Sequence, residues 1–350
     1  MKAMTALVMV TGLSTIIPGC GVGYVVRSAY FQAELLNSRV PIDTVREREG
    51  VTDEAIQAFD RIADVKAYGE EIGLKATKNY ETYAEHWDRT IWNLTACPDL
   101  EFTPVTWRFP IVGKVPYLGF FRRSDADAWA ERLRRDGHEV FLRTAGAYST
   151  LGWFRDPVLP GMLRWSDARL ANTVLHELVH ATVWIKGSVS FNESFANFVG
   201  DRASFDYLEA RFGADSDVYV AAVKRDEDMH RWNMLLRNLY GELNTVYQDL
   251  TTDEQTKRDR RRQLYATLPQ RARTAGFHDP ERFIAAAEKG PWNNARLMQY
   301  RTYNTKTELF EAIYAQQDED IIAFIHAIAS ITAGQKDPFA ALRRAVEARR

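Results

Sequence analysis

The chain has 350 residues, 46% hydrophobic and 12% aromatic, with a formal net charge of −2. That length and apolar content supply a substantial core, as one large domain or two fused lobes. The near-neutral balance leaves no case for nucleic acid as a partner.

Residues 1–19 do not read as part of the fold. Met1-Lys2 is a basic start, Ala3 to Ile17 is apolar and rich in small residues, and Pro18-Gly19-Cys20 follows. This is the layout of a secretory signal. Ile17-Pro18-Gly19-Cys20 resembles a bacterial lipobox, although proline before the glycine is atypical. On that reading Cys20 is lipidated and its acyl chains tether the exported protein to a membrane, facing the periplasm. Gly21 in place of Asp, by resemblance to known sorting, favours the outer membrane. The alternative is an uncleaved anchor, for which the apolar run is only marginally long. With Cys20 on lipid, Cys97 has no disulfide partner and reads as a buried free thiol.

Val25 to Val40 reads as a helix. From Thr52 to Trp92, Ile56, Phe59, Ile62, Val65, Tyr68 and Ile72 fall at helical spacing, with breaks near Gly69 and Gly73, so two helices are expected. Cys97 precedes Pro98, which should end a helix. Residues 103–110 and 117–121 are short, aromatic and punctuated by Pro and Gly, as strands are. Ser124 to Gly137 reads as a capped helix, 138–143 as a strand, and 148–154 as another strand at a sheet edge. Such an edge can hold a peptide as an added strand, or be a hairpin that packs on the helix below.

The next helix carries the chemistry. Ser166 and Asp167 offer an N-cap, Gly187 offers a stop, and about 18 largely apolar residues lie between. Within them stands His176-Glu177-Leu178-Val179-His180. Four residues turn roughly 400° on a helix, so His176 and His180 project from one face and can share one ion. Glu177 lies roughly 100° round, placed to accept a proton from water without ligating. The bland alternative is a helix with two hydrogen-bonded core histidines. A catalytic zinc needs a third protein ligand. No histidine occurs between His180 and His230, and Glu193 is the better candidate. It opens a second helix, Phe191 to Leu208, and the loop 186–190 should turn that helix back antiparallel to the first. Asn197, one turn on, is placed to orient a ligand histidine. Ser190-x-x-Glu193 also fits a capping box, which would give Glu193 only a structural role.

These residues resemble the gluzincin clan of zinc metallopeptidases, in which a His-Glu-x-x-His helix precedes a helix bearing a glutamate ligand. A closer resemblance is to a bacterial family of lipoproteins described as predicted zinc-dependent aminopeptidases. It rests on His176-Glu177-Leu178-x-His180, Phe191-Asn192-Glu193-Ser194-Phe195-Ala196 and Asn293-Asn294-Ala295-x-Leu297. The resemblance implies one Zn2+ ion on His176, His180 and Glu193, with Glu177 as general base. It also implies a zincin-like core, with a small β-sheet above the His-Glu-x-x-His helix. Two features depart from the clan. Twelve residues separate His180 from Glu193, fewer than in the thermolysin-like and aminopeptidase N-like families, and no Gly-x-Met-Glu-Asn motif is present.

A further donor is required for the oxyanion. Tyr300, Tyr303, His230 and Tyr240 are candidates, with Tyr303 favoured. Asn293 and Asn294 either contact substrate backbone or cap a helix after Pro291. Asp217 to Leu250 reads as a long helix, and 251–254 opens its partner. The basic run Lys257 to Arg262 reads as a solvated helix face. Residues 305–316, 318–332 and 337–347 complete the chain as helices. His86, His138, His278 and His326 lie outside ligand spacing.

The expected fold is α+β and predominantly helical. Residues 1–19 are the signal, 20–100 an N-terminal helical segment, 101–213 the zincin-like core and 214–350 a helical region completing the cleft. The expected function is a zinc-dependent peptidase acting on peptide substrates, in particular an aminopeptidase. A zinc hydrolase of other amides or cell-wall fragments, and a binding lipoprotein with a vestigial site, are the alternatives. Intact Glu177 speaks against the last.

Overall fold

The computed structural model describes residues 20–87, 89–109, 113–144, 155–302 and 307–348. The expected signal segment 1–19, the expected strand 148–154 and Tyr303 lie outside them. The chain begins with α1 (Cys20–Asn37), β1 (Val40–Pro41), α2 (Ile42–Arg46) and α3 (Asp53–Glu71). Then come β2 (Thr82–Tyr83), β3 (Trp92–Cys97), β4 (Trp107–Phe109), β5 (Gly113–Val115), β6 (Leu118–Phe120), α4 (Arg123–Arg135) and β7 (Glu139–Thr144). A 3-10 turn, Pro160–Arg164, leads into α5 (Asp167–Thr182) and α6 (Val189–Phe212). The rest is helical: α7 (Asp217–Gln248), α8 (Glu254–Ala266), α9 (Leu268–Thr274), α10 (Pro280–Glu288), α11 (Asn294–Thr302), α12 (Thr307–Ala315), α13 (Ile321–Thr332) and α14 (Pro338–Glu347). The fold is α+β and predominantly helical, as expected. Among the described residues, no helix is long and apolar enough to cross a membrane.

One helix, not two, occupies the stretch from Thr52 to Trp92. The Thr52 hydroxyl caps α3 by accepting from the Ala55 N–H. Gly69 does not break it. A Cβ there would stand 2.7 Å from Leu178 Cδ1, so the missing side chain lets α3 and α5 approach closely. The chain leaves the helix at Gly73, where φ is +86°. Residues beyond it bond outward: Tyr80 N–H to Asp156 O, and Val158 N–H to Thr82 O. Tertiary pairing overrides the helical period of the side chains.

The three-stranded antiparallel sheet has the order β6-β3-β7. β3 is its centre, although Cys97 and Pro98 suggested a helix end. Side chains alternate across it. Leu94, Ala96, Leu118, Phe120 and Val140 meet Ala126, Ala130 and Leu133 of α4. On the other face Thr95 opposes Phe141, and Asn93 lies between Arg143 and Gly119. There Thr95 Oγ1 reaches Ala295 O of α11, at 3.4 Å.

The main core joins α3, α5, α6, α12, α13 and α14, from Val45 to Val346. A second core, under α7, takes Trp232, Leu236, Leu239 and Leu243 at alternating spacings of four and three. The basic run on α8 is not simply solvated. Arg258 pairs with Asp99 and Arg261 with Glu139, which fastens the helix to the sheet region.

Candidate metal centre

Ser166 caps α5 by accepting from the Arg169 N–H. The helix then runs to Thr182, short of the stop expected at Gly187. Val183 is extended, and the Asn192 carboxamide holds Ile185 out of the helix. It accepts from Ile185 N–H and donates to Ile185 O, both at 2.9 Å. This clasp fixes the turn immediately before Glu193.

α6 starts at Val189 after Ser188. Ser190 is therefore inside the helix, and the Ser190-Glu193 capping box does not form. α6 returns antiparallel along α5: Asn172 near the start of α5 donates to Asp201 at 2.7 Å, well along α6. Gly200 makes this approach possible. A Cβ there would lie 3.2 Å from Asn172 O and 3.3 Å from His176 Cβ. Neither Gly200 nor the Asn192 clasp was picked out as a site-building feature from sequence. The available signal for the first was a lone glycine amid a helical apolar run.

The three expected ligand groups converge. His176 Nε2 and His180 Nε2 are 3.0 Å apart, and Glu193 approaches them at 3.6 and 3.8 Å. All three ligand atoms lie within 4.8 Å of one another. Zn–N and Zn–O bonds of about 2.0–2.2 Å imply donor separations of roughly 3.3–3.5 Å in a tetrahedron. The observed spacing brackets that value. Two imidazoles and one carboxylate are also a donor set suited to a catalytic zinc. His180 is 3% exposed and Glu193 8%. His180 Nδ1 is buried and finds no hydrogen-bond partner among the described residues. The ring edge of His180 meets Trp184, with centroids 5.4 Å apart.

The protonation states are asymmetric. Burial, reinforced by the neighbouring His176, pushes His180 down to about 4. Burial opposes the charged form of His176 too, but the Glu193 contact and the charges of Glu177, Glu193 and Asp201 outweigh it and raise the imidazole. Burial likewise works against ionised Glu193, and His176, His180 and Arg143 overcome it, lowering its carboxyl.

Glu177 is buried on α5 beside the pair. Tyr80 lies close enough to feel its charge: burial first, then Glu177 and Asp156, push the phenol well above its usual range. Tyr80 is 3% exposed, in the left-handed region at φ +61°, and its hydroxyl has no hydrogen-bond partner among the described residues. Asn197 is half-buried on α6, one turn beyond Glu193.

Other candidates stand elsewhere. Tyr240 packs against Phe102 with its ring tilted, centroids 4.1 Å apart, beside the α7 core. His230 lines a surface cavity with Arg231 and Arg271. Asn293 caps α11, its Oδ1 accepting from Arg296 N–H and its Nδ2 donating to Val140 O. Asn294 is 0% exposed. Its Oδ1 accepts from the Tyr247 and Tyr265 hydroxyls, and its Nδ2 donates to Asp99 O. Asn293 thus forms the helix cap that is its alternative reading, and the Asn294 carboxamide is occupied inside the protein.

The fold and this cluster define an α+β, mainly helical protein with a buried His-His-Glu centre between two antiparallel helices. Over residues 23–341 the chain matches the family model described as "Putative aminopeptidase", and it belongs to that family. No curated protein and no solved structure matches the chain.

Proposed function

We propose that the protein is a zinc-dependent peptidase of gluzincin type, acting as an aminopeptidase. The observation that carries this reading is the convergence of His176, His180 and Glu193 within 4.8 Å, with Glu177 on the same helix. His176 and His180 would hold the ion through Nε2 and Glu193 through its carboxylate. Bound there, zinc would lower the pKa of a water toward about 7 and polarise a scissile carbonyl.

The protein groups do the rest. His180, pushed down to about 4, keeps its Nε2 lone pair available at neutral pH. Glu177 takes the proton of the attacking water and delivers it to the leaving amine. Asn197 orients the ligand set. Tyr303, which follows α11 in the chain, donates to the oxyanion. Export and a lipid anchor at Cys20 belong to the same proposal. They would put the enzyme on the periplasmic side of the outer membrane, with peptides as its substrates.

The test is elemental analysis of protein purified without added metal, followed by assays on aminoacyl reporter amides and internally quenched peptides, with and without chelator. One zinc per chain and chelator-sensitive cleavage of the aminoacyl amides are expected. Glu177→Gln should retain zinc and lose turnover by at least about a hundredfold. Full turnover in that variant would remove Glu177 as the base. Absence of metal would remove the proposal.

A further inference from the structure

We propose that the outer face of α1 lies on a lipid bilayer, so that the protein meets the membrane side-on through this helix as well as through its tether. The inference rests on the anchored-enzyme reading and adds an orientation to it. Val25, Val26, Ala29, Tyr30 and Ala33 are all exposed. Their spacing of i, i+1, i+4, i+5 and i+8 sets them in one stripe along about 12 Å of helix. Val26 and Tyr30 are 63% and 65% exposed. No charged residue interrupts the stripe, in a chain that is 26% charged. Arg27 and Glu34, the charged residues of α1, stand to one side of it and pair with Asp125 and Arg89. The opposite side of the helix is already fixed. Phe31 and Leu35 are buried with Trp87 and Phe121. The Tyr24 hydroxyl donates to Gly119 O at 2.9 Å and accepts from Gly119 N–H at 3.2 Å. The stripe is thus the outward face of a docked helix.

Continuity with the preceding sequence says what covers it. α1 begins at Cys20, the proposed lipidation site, directly after the apolar run from Ala3 to Ile17. Val25 is five residues further on, about 8 Å along the helix axis. The headgroup zone on each side of the hydrocarbon is itself roughly 5–8 Å deep. A helix that starts at this boundary with an uncharged apolar stripe and an exposed tyrosine fits the interface, where an amphipathic ring is favoured. A second copy of this chain fits less well. Five side chains fall short of the roughly 20–30 residues a side of a stable protein interface. A tether alone leaves the body free to turn, whereas the stripe fixes which side faces lipid.

The test uses the full chain, with an environment-sensitive fluorescent amino acid in place of Ala29. The protein is reconstituted into vesicles of phosphatidylethanolamine and phosphatidylglycerol, with and without a lipid that carries a nitroxide at the headgroup boundary. The nitroxide lipid should quench the probe at least about threefold, because the apolar face of an interfacial helix sits at that depth. Val26→Asp with Tyr30→Asp should keep the protein on the vesicles and leave its melting temperature unchanged, but should abolish the quenching. A probe that is not quenched, or quenching that survives the double substitution, overturns the proposal. So does a lowered melting temperature of the double variant, which would make the stripe part of the core. Energy transfer between copies carrying donor and acceptor at position 29, with no quenching by the lipid, would assign the stripe to a second copy instead. The lipid-anchor reading fails separately, if the mass of the N-terminal peptide shows no acyl group; quenching at position 29 decides the proposal in that case too.

Discussion

Asn294 and His180 are both deeply buried polar side chains, 0% and 3% exposed, in different parts of the molecule. Around Asn294 the donors and acceptors answer one another. Two tyrosine hydroxyls, backbone carbonyls of the 98–101 turn and the Glu139 carboxylate all meet this residue. Glu139 also holds Arg261. The network joins the turn after β3 to β7, α7, α8 and α11, and both polar atoms of the Asn294 side chain are paired within it. Around His180 they do not. Two imidazole nitrogens meet at 3.0 Å, Glu193 stands beyond ordinary hydrogen-bond length from both, and the Nδ1 of His180 has no partner among the described residues. A buried polar cluster that satisfies itself holds a structure together, whereas one that converges without satisfying itself is shaped for an additional group.

That contrast is broken most directly at Glu193. Glu193→Ala should weaken zinc affinity by more than about a hundredfold, since even residues that only support ligands cost 10–100-fold. The metal-free protein should lose little stability at neutral pH, because His176, which Glu193 helps to hold charged, can shed its proton once the carboxylate is gone. Competition against a chromogenic chelator, with a thermal melt of the metal-free form, measures both. Retained zinc affinity would return the cluster to a structural role. Asn294→Ala should do the opposite. It strands the hydroxyls of Tyr247 and Tyr265 and several backbone groups, at roughly 3–5 kcal/mol in all. Urea unfolding should show the loss while zinc stoichiometry holds at one. A stable variant, or one that loses metal, would erase the distinction between the two clusters.

Much of the centre was legible in the sequence because it depends on local geometry. The 3.6-residue period sets His176, Glu177 and His180 before any tertiary contact forms, and one short turn brings Glu193 back to them. What depended on distant partners was not legible. Residues 72–91 keep apolar spacing, but Asp156 and Val158 draw their backbone out of a helix. β3 alternates cleanly, yet its neighbour Pro98 made it look like a helix end. Asn294 offers a carboxamide equally fit for substrate or for a junction, and only the positions of Tyr247, Tyr265 and the 98–101 turn decide. The charge of Arg143 on β7 acts on Glu193 of α6, a pairing that no spacing within one segment announces.

Gly200 sharpens the comparison, because there helix packing and the geometry of the proposed metal centre are coupled. A methyl group at 3.2 Å from Asn172 O and 3.3 Å from His176 Cβ forces α5 and α6 apart by a few tenths of an ångström. Gly200→Ala should cost about 1–3 kcal/mol of stability. It should also weaken zinc binding, since the His176 backbone moves with α5. Lower stability with unchanged affinity would mean that the centre tolerates a looser helix pair than its geometry suggests.

The smallest effect is a rate, and it reports on the junction. Cys97 is fully buried at the end of β3, next to the 98–101 turn that Asn294 holds. Burial pushes its thiol up to about 12, against partial relief from Arg261. A raised thiol pKa keeps the unreactive protonated form, so at pH 8 a disulfide reagent should leave the native protein unlabelled. Labelling then requires opening, and its rate measures how often the junction opens. In a form lacking Cys20, wild-type protein should react only with added denaturant. Asn294→Ala should react measurably without it, while Glu193→Ala should behave like wild type. Fast labelling of the wild type would show that the self-satisfied cluster is no more rigid than the convergent one.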